Sequence, residues 1–536
     1  MDSPSEFEFS SSHELLEFAE ILGVSITDLE PCGRGVVKTC LHLLDRLQNR
    51  PDGKYVLVTA MNPTTAGEGK TVTTIGLSMA LNSLGRKAIA TLREPSMGPV
   101  FGKKGGATGG GKAFVTPREK INLHFTGDMH AVTSAHNLLA AFIENSLRGK
   151  DPIVPIRALL DALKKWAKRD EDWRLLYRQF RTSYAIALET LRLLGGRCGR
   201  SFVRHILALF STIVKKNALN IDPLTITWRW AIDLNARPLR NIEAGLRETQ
   251  YGFPLETGFD ITPASEVMAI LALSNSLKDL RERLSRIVVA ETFDGRPVTA
   301  GDIGVAGPMS ALLADAIKPN VVLTSERTAA LIHAGPFGNI AHGSNSIIAD
   351  KIALKLADYV VTEAGFGTEL GAEKFFDIKC RISGLRPDCA VIVCSLRAIK
   401  LHSGEYRGLT DADLARRLRQ PNPIVLRAGF ANLARHIENI KKFGLPAVVA
   451  INRFDGDSDE EIEMVRRMAR ESGADEAEVS DVYTRGSEGG LALAEAVIRA
   501  TNKGSGFRFL YEDSLSIREK IEKIAREIYG ARDVEY

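Results

Sequence analysis

Two glycines, a lysine and a threonine stand close together early in the chain, in the run Gly67-Glu68-Gly69-Lys70-Thr71. Glycines let backbone N–H groups approach phosphate oxygens, and the positive end of a following helix favours an anion. A lysine in this position reaches the β- and γ-phosphates of a nucleotide, and the adjacent hydroxyl holds Mg²⁺. The spacing predicts a phosphate-binding loop with Mg²⁺ on Thr71, made of Thr64, Thr65, Ala66, Gly67, Glu68, Gly69, Lys70 and Thr71.

The residues around this loop have the pattern of a strand, a turn and a helix. A β-branched apolar run covers 54–60, Pro63 breaks the chain, and apolar residues at helical spacing follow over 75–81. This order is the context in which phosphate loops occur. The position five before Gly69 holds Thr64 where the usual motif has a glycine, so a glycine turn with an incidental lysine stays open as the alternative.

Charged side chains follow two further runs that we expect to be strands. The run 87–92 is followed by Arg93, which is a candidate anion clamp, with a plain surface arginine as the alternative. The run 121–130 alternates like a strand and ends on Asp128 and His130. A carboxylate and an imidazole at a strand end suit Mg²⁺ binding or proton transfer, although each alone is more often structural.

Composition describes an ordinary globular protein. The chain has 536 residues, of which 44% are hydrophobic and 25% are charged, enough for two or three domains with full cores. A net charge of +4 is small for this length, which argues against nucleic acid or a membrane surface as the main partner. An anionic small molecule is easier to accommodate.

The chain carries no sign of export or membrane insertion. Its six cysteines lie far apart or in apolar runs, without the spacing of a zinc site, as expected of buried thiols in a reducing compartment. The N-terminal residues are acidic and lack the apolar core of a secretory signal. No apolar stretch is long enough for a membrane span. We therefore expect a cytoplasmic protein.

Several segments, taken in order, resemble the formate–tetrahydrofolate ligase family, also called formyltetrahydrofolate synthetase. The motif Ala-Gly-Glu-Gly-Lys-Thr at 66–71 and the motif Leu-Arg-Glu-Pro-Ser-Met-Gly at 92–98 are the most specific. Further similar segments lie at 121–131, 259–271, 315–320, 333–343, 361–367, 371–381 and 448–454. The resemblance covers most of the chain.

The resemblance implies an ATP-dependent enzyme that joins formate to tetrahydrofolate through formyl phosphate. It implies that Lys70 and Mg²⁺ stabilise the transferred phosphoryl group and that Arg93 grips formyl phosphate. Asp128 or His130 would accept the proton from the attacking amine. The folate would contact Glu94, Phe337 and Phe454, with a core phenylalanine as the alternative for the two aromatic positions. The family also suggests a homo-oligomer.

Some positions depart from the family pattern. Lys112 replaces a tyrosine in the glycine-rich signature over 102–112, and Ser403 replaces a glycine in a second signature. From the resemblance we expect family members to continue beyond the segment at 528–531 with a further C-terminal subdomain, which this chain would lack. Two alternatives to the active ligase therefore stay open. One is a degenerate paralogue that binds ATP or folate without catalysis, and the other is a phosphate-loop ligase for another small carboxylate.

The predicted architecture is α/β, with a parallel sheet of the phosphate-loop NTPase type and helices on both faces. We expect the nucleotide-binding domain over 1–148 and 221–370, and a second α/β lobe over 371–536. The residues 149–220 form an atypical helical insertion with an excess of Lys and Arg over Asp and Glu. Packing or oligomer contact is its expected role, with a basic face for a polyanion as the alternative.

Overall fold

The computed structural model describes residues 4–65, 67–102, 106–147, 219–244 and 255–536. The helical insertion predicted over 149–220 therefore lies, apart from residues 219 and 220, outside the described residues. The described strands are β1 (Leu29–Pro31), β2 (Val37–Thr39), β3 (Lys54–Ala60), β4 (Ala88–Leu92), β5 (Gly109–Gly110), β6 (Ala113–Thr116), β7 (Trp230–Ile232), β8 (Ile242–Ala244), β9 (Leu255–Thr257), β10 (Phe259–Ile261), β11 (Val288–Glu291), β12 (Pro297–Thr299), β13 (Asn320–Thr324), β14 (Ala329–Ile332), β15 (Tyr359–Glu363), β16 (Cys389–Cys394), β17 (Ala447–Asn452) and β18 (Glu476–Ser480).

The described α-helices are distributed along the chain among these strands. They are α1 (Pro4–Leu22), α2 (His42–Leu47), α3 (Lys70–Ser83), α4 (Met97–Val100), α5 (Arg118–Asn122), α6 (Asp128–Leu147), α7 (Glu266–Leu273), α8 (Leu277–Ser285), α9 (Ala300–Ile303), α10 (Ala306–Leu312), α11 (Ile347–Leu356), α12 (Arg381–Ser383), α13 (Leu396–His402), α14 (Asp411–Arg419), α15 (Pro423–Lys442), α16 (Asp459–Glu471), α17 (Val482–Arg485), α18 (Leu491–Asn502) and α19 (Ile517–Lys523). None of these described helices combines the length and the apolar character that crossing a bilayer requires.

One large sheet organises the fold. Its strands lie in the order β1-β2-β13-β14-β4-β15-β3-β16-β17-β18, and β6 and β5 extend it from β13. From β14 to β18 in this order every neighbouring pair is parallel. The carboxyl ends of these strands therefore meet at one edge of the sheet, which is where α/β proteins bind ligands.

Helices cover both faces of this sheet because the side chains of its strands alternate in direction. Val56 and Val58 of β3 are fully buried in one cluster with Leu77 of α3 and Val497 of α18. Tyr55, one position earlier in β3, points to the opposite face, where its hydroxyl donates to Asp350 of α11. The α/β class with a parallel sheet, predicted from the sequence, is confirmed.

Contacts divide the chain into two compact units. The first unit takes the described residues within Met1–Asp128, Leu271–Ser276 and Ile317–Tyr536, and the second takes those within Met129–Ile270 and Leu277–Ala316. The strands β16 to β18, which lie after residue 371, belong to the same sheet as the phosphate-loop strand β3. The domain boundaries at 148, 220 and 370 stay a prediction.

The strand predicted over 121–130 is wrong. Helix α5 ends at Asn122, and α6 begins at Asp128, directly after Gly127 with a φ of 89°. The alternating pattern was misleading because Ile121 and Phe125, two of the three buried apolar residues of the segment, lie four positions apart and pack into one cluster across a turn. Asp128 therefore opens a helix instead of ending a strand.

Candidate active site

The phosphate loop leaves the carboxyl end of β3 and turns into α3 at Gly69. The φ of Gly69 is 81°, and a Cβ at this position would come within 2.2 Å of Nδ2 of Asn452. This Nδ2 donates to the backbone oxygen of Glu68 at 3.0 Å, so the last residue of β17 holds the loop in place. Only glycine permits both the left-handed backbone and this close approach.

Glu68 stabilises the shape of the loop. Its Oε1 accepts hydrogen bonds from the backbone N–H of Thr64 at 2.7 Å and from the Thr64 hydroxyl at 2.9 Å. Burial raises the pKa of the Glu68 carboxyl, and the hydrogen bonds from Thr64 oppose the rise. Thr65 and Gly67 are exposed on the loop, while Ala66 lies outside the described residues. The Glu68 carboxyl thus binds Thr64 through two hydrogen bonds and holds this part of the loop together.

Lys70 and Thr71 meet the end of β15. The Lys70 ammonium donates to the backbone oxygen of Ala364 and lies 3.9 Å from Oε2 of Glu363. It also lies 4.8 Å from the centroid of the Phe366 ring. The Thr71 hydroxyl donates to Oε2 of Glu363 at 2.8 Å. A hydroxyl, a carboxylate and an ammonium are therefore gathered beside the start of α3.

Arg93 and Glu94 follow β4 and contact the loop after β14. Nη1 of Arg93 donates to the backbone oxygen of Pro336 at 3.1 Å, and the N–H of Glu94 donates to the oxygen of Ala334 at 2.8 Å. Among the described residues, Nε of Arg93 is buried without a hydrogen-bond partner. Phe337, the next residue of the loop, is half-buried. The structure thus brings together Arg93, Glu94 and Phe337, which the sequence proposed separately.

Two histidines fix the first residues of the phosphate loop. The backbone N–H of Asn62 donates to Nε2 of His436 at 3.0 Å, and Nε2 of His402 lies 3.1 Å from the Asn62 oxygen. Burial lowers the pKa of His436 to about 3, with the nearby His402 acting in the same direction. The neutral ring can therefore accept the Asn62 N–H at physiological pH.

Asp128 and His130, the two proposed proton acceptors, have different surroundings. Asp128 is buried and accepts from the ammonium of Lys38 at 2.8 Å and from Nδ2 of Asn320 at 2.8 Å. These bonds tie the start of α6 to β2 and β13. His130 is exposed on α6 and belongs to the second unit, where its Nε2 lies 3.4 Å from the Ser134 hydroxyl. The structure does not show the two side chains in one cluster.

Phe454 lies just beyond β17, on the other side of β3 from Arg93. The Arg397 guanidinium lies 4.4 Å from the centroid of the Phe454 ring, and its Nη2 donates to the backbone oxygen of Asp455 at 3.2 Å. The Phe454 N–H donates to Oδ2 of Asp457 at 2.9 Å. The ring is thus positioned at the carboxyl edge of the sheet by residues from α13 and from the loop before α16.

The strand order explains this gathering. Lys70, Arg93, Phe337 and Phe454 follow the strands β3, β4, β14 and β17, whose carboxyl ends share one edge. Two contributors were not proposed from the sequence, namely Glu363 and Asn452, the last residues of β15 and β17. Both lie in segments that resemble the family, which was the available signal, but neither belongs to a motif whose spacing alone predicts a role.

Comparisons with known proteins identify the family of the chain. The family model described as Formate--tetrahydrofolate ligase matches residues 5–536. A protein of Desulforamulus reducens named formate–tetrahydrofolate ligase is 46% identical over 534 residues, covering 99% of this chain and 82% of the relative. A protein of the same name from Saccharopolyspora erythraea is 45% identical over 539 residues, covering 100% of this chain and 84% of the relative. The chain therefore belongs to the formate–tetrahydrofolate ligase family.

Proposed function

We propose that this protein joins formate to tetrahydrofolate, using ATP, to give 10-formyltetrahydrofolate, ADP and phosphate. The observation that carries the proposal is the placement of Lys70, Thr71 and Arg93 at the carboxyl ends of two strands of one parallel sheet. Relatives at 46% and 45% identity bear the name of this activity. The loop and the guanidinium supply what phosphoryl transfer needs, because its catalysis is mostly positioning and charge stabilisation.

The nucleotide phosphates bind at the loop between β3 and α3. The first N–H groups of α3 have no partner within the helix, and with Lys70 they neutralise the phosphate charge. The Lys70 ammonium, which donates to the oxygen of Ala364, gains a charged acceptor when phosphate binds. The proposed ATP site therefore comprises residues 64–71.

The oxygen ligands at the start of α3 fit Mg²⁺. The Thr71 hydroxyl and the Glu363 carboxylate lie within a hydrogen bond of each other, and both are hard oxygen donors of the kind that Mg²⁺ prefers. Thr71 would hold the ion, with Glu363 beside it. When bound, Mg²⁺ supplies positive charge that offsets the charge on the β- and γ-phosphates.

In the first step, a formate oxygen attacks the γ-phosphorus of ATP. The bond from γ-phosphorus to the β–γ bridging oxygen breaks, so the products are formyl phosphate and ADP. Arg93 binds formyl phosphate, because its planar guanidinium can donate two parallel hydrogen bonds. Its Nη1 is already held by Pro336, while its buried Nε has no protein partner among the described residues. The Arg93 guanidinium is thus oriented before formyl phosphate forms.

In the second step, N10 of tetrahydrofolate attacks the formyl carbon and phosphate leaves. The amine proton must go to a base. Asp128 is the less accessible of the two proposed acceptors, since it is buried and both of its carboxylate oxygens already accept hydrogen bonds from Lys38 or Asn320. His130 keeps an exposed ring. Glu94, Phe337 and Phe454 would contact the folate, whose flat ring needs apolar walls and a polar edge.

The deciding experiment measures 10-formyltetrahydrofolate formed from formate, MgATP and tetrahydrofolate. We expect product with the wild-type chain and none above background with Lys70→Ala. ATP binding without formate-dependent ADP release would instead identify a binding protein. ADP release with a different small carboxylate, and none with formate, would identify another ligase. Light scattering at several concentrations tests the proposed homo-oligomer.

A further inference from the structure

One histidine in the loop between β14 and α11 has both ring nitrogens buried and, among the described residues, without a hydrogen bond of ordinary length and angle. His342 is 1% exposed, and both Nδ1 and Nε2 are buried without a partner among the described residues. Buried polar atoms in native proteins are almost always hydrogen-bonded, so two such atoms on one ring need an explanation. His136, a buried histidine of the second unit, shows the usual state, because its ring nitrogens lie 2.8 Å from the Ser265 hydroxyl and 2.9 Å from the Arg229 oxygen.

The loop that carries His342 is firmly held, so loose packing does not account for the ring. Its first half is bound at Pro336 by Arg93 and at Gly338 by the Lys374 ammonium, which donates to the backbone oxygen at 2.8 Å. Gly343, directly after the histidine, has a φ of 66°, and a Cβ there would come within 2.5 Å of the Gly338 Cα. The backbones at Gly338 and Gly343 therefore pack directly against each other.

Two further polar groups at this loop also lack partners. The Ser344 hydroxyl and Nε of Arg93 are both buried and without a hydrogen bond within the described ranges. Burial, together with the positive charges of Lys379, Arg93 and Lys374, lowers the pKa of His342 to about 3, although the Asn345 backbone opposes the shift. The ring is therefore neutral at physiological pH, with one N–H donor and one acceptor. Buried hydrogen-bond donors without partners, together with positively charged side chains, are suited to binding a small anion.

We propose that His342 is a binding residue for the one-carbon acid, donating its ring N–H to a carboxylate oxygen of formate beside Arg93, with the Ser344 hydroxyl as a second donor. The inference rests on the proposed function. A neutral donor suits this task, because it orients the carboxylate without adding a further positive charge that would weaken it as a nucleophile. In this proposal the positive charge of Arg93 attracts the formate carboxylate, and the hydrogen bond from His342 orients it.

The test compares Michaelis constants for formate and for ATP. His342→Leu removes the donor, and we expect it to raise the KM for formate about tenfold or more while changing the KM for ATP less than about twofold. His342→Asn keeps an N–H donor and should restore part of the formate affinity. Ser344→Ala should raise the formate KM by a smaller factor. His136→Asn, a matched change at a fully bonded buried histidine, should leave both constants unchanged.

Direct binding separates this inference from the proposed function. Line broadening of ¹³C-formate added to the MgADP complex reports binding without turnover. Broadening by the wild type that His342→Leu abolishes supports the inference even if no formyltetrahydrofolate is made. Equal broadening by both proteins, or a parallel rise of the formate and ATP constants, overturns it. If His342→Leu does not fold, His342→Asn is the deciding variant. A rise in its KM for formate, without a rise in its KM for ATP, supports the inference, and unchanged values overturn it.

Discussion

The Thr71 hydroxyl donates a hydrogen bond of 2.8 Å to the Glu363 carboxylate and so joins the first turn of α3 to the end of β15. The two residues are 292 positions apart in the chain. The parallel pairing of β15 with β3, in which Glu363 lies opposite Val58, brings the carboxylate to the loop that follows β3. The pairing of β15 with β3 therefore brings Thr71 and Glu363 together, and these two residues form the proposed Mg²⁺ site.

Glu363→Gln should weaken the use of Mg²⁺. The amide keeps a hydrogen-bond acceptor for Thr71 but removes the negative charge, and we expect Mg²⁺ to bind about 10–100-fold more weakly. Titration of Mg²⁺ at fixed ATP in the ligase assay measures the shift. Glu495→Gln, a change at an exposed glutamate of α18, should not alter the Mg²⁺ dependence. An unchanged Mg²⁺ dependence in Glu363→Gln would exclude this carboxylate from the metal site.

Arg93→Lys should impair the step that uses formate. Lysine keeps the charge but cannot donate two parallel hydrogen bonds or reach Pro336 in the same geometry. We expect kcat/KM for formate to fall about 10–100-fold, with the dissociation constant of MgATP unchanged. Formate-dependent ADP release and calorimetry with MgATP provide the two values. A matching loss of MgATP affinity would show that Arg93 serves the nucleotide instead.

Gly69→Ala should disrupt the phosphate loop more than a glycine change elsewhere. At Gly69 the new Cβ would come within 2.2 Å of Nδ2 of Asn452, in addition to the strain of a φ of 81°. Gly85→Ala provides the control, because Gly85 has a φ of 73° and no atom within 4 Å of the new Cβ. The control should cost only about 1–2 kcal/mol of unfolding free energy and keep ATP binding. Equal ATP affinity in both variants would argue against a rigid loop.

Asp128→Ala should act on stability. It leaves the Lys38 ammonium buried without its carboxylate, which we expect to cost about 3–5 kcal/mol of unfolding free energy. The double variant Lys38→Met, Asp128→Leu should recover most of this loss, because it removes both charges. Urea unfolding gives both values. A near-normal stability of Asp128→Asn together with a large fall in kcat would restore Asp128 as the proton acceptor.

The stability that the Glu373 carboxyl contributes should fall as the pH rises from about 4.5 to about 7. Burial, with help from the nearby Asp377, raises the pKa of Glu373 from 4.5 to about 7, so the folded protein holds a proton that the unfolded chain releases. The contribution is full below the unfolded pKa and is lost as the pH passes the folded pKa, a change of about 3 kcal/mol at most. Urea unfolding at pH 5 and pH 8 measures this contribution as the difference between the wild type and Glu373→Gln, because all other groups titrate alike in both proteins. The stability of the wild type relative to the variant should fall between the two pH values. An equal pH dependence in both proteins would exclude Glu373 as the cause.

Local patterns were sufficient for the phosphate loop and its neighbours. Backbone preferences are set within a few residues by the apolar run over 54–60, by the glycines at 67 and 69, and by the apolar spacing after Lys70. The strand β3 and the helix α3 form where these patterns predict them. The strand before Arg93 was predicted for the same reason. The strand predicted over 121–130 was wrong because a short alternating pattern also fits a turn. Here two apolar residues on either side of the turn pack into the same cluster.

The sequence by itself determined the family, the α/β class and the cation and hydroxyl that follow Gly69, because these depend on residues adjacent in the chain. The tertiary structure alone decided that Glu363 lies beside Thr71 and that Asp128 is paired with Lys38. It also decided that both ring nitrogens of His342 are buried without a hydrogen bond of ordinary geometry in the described part of the chain. These relationships join strands and loops distant in sequence. Side-chain surroundings of that kind arise from strand order and packing, which no local spacing encodes.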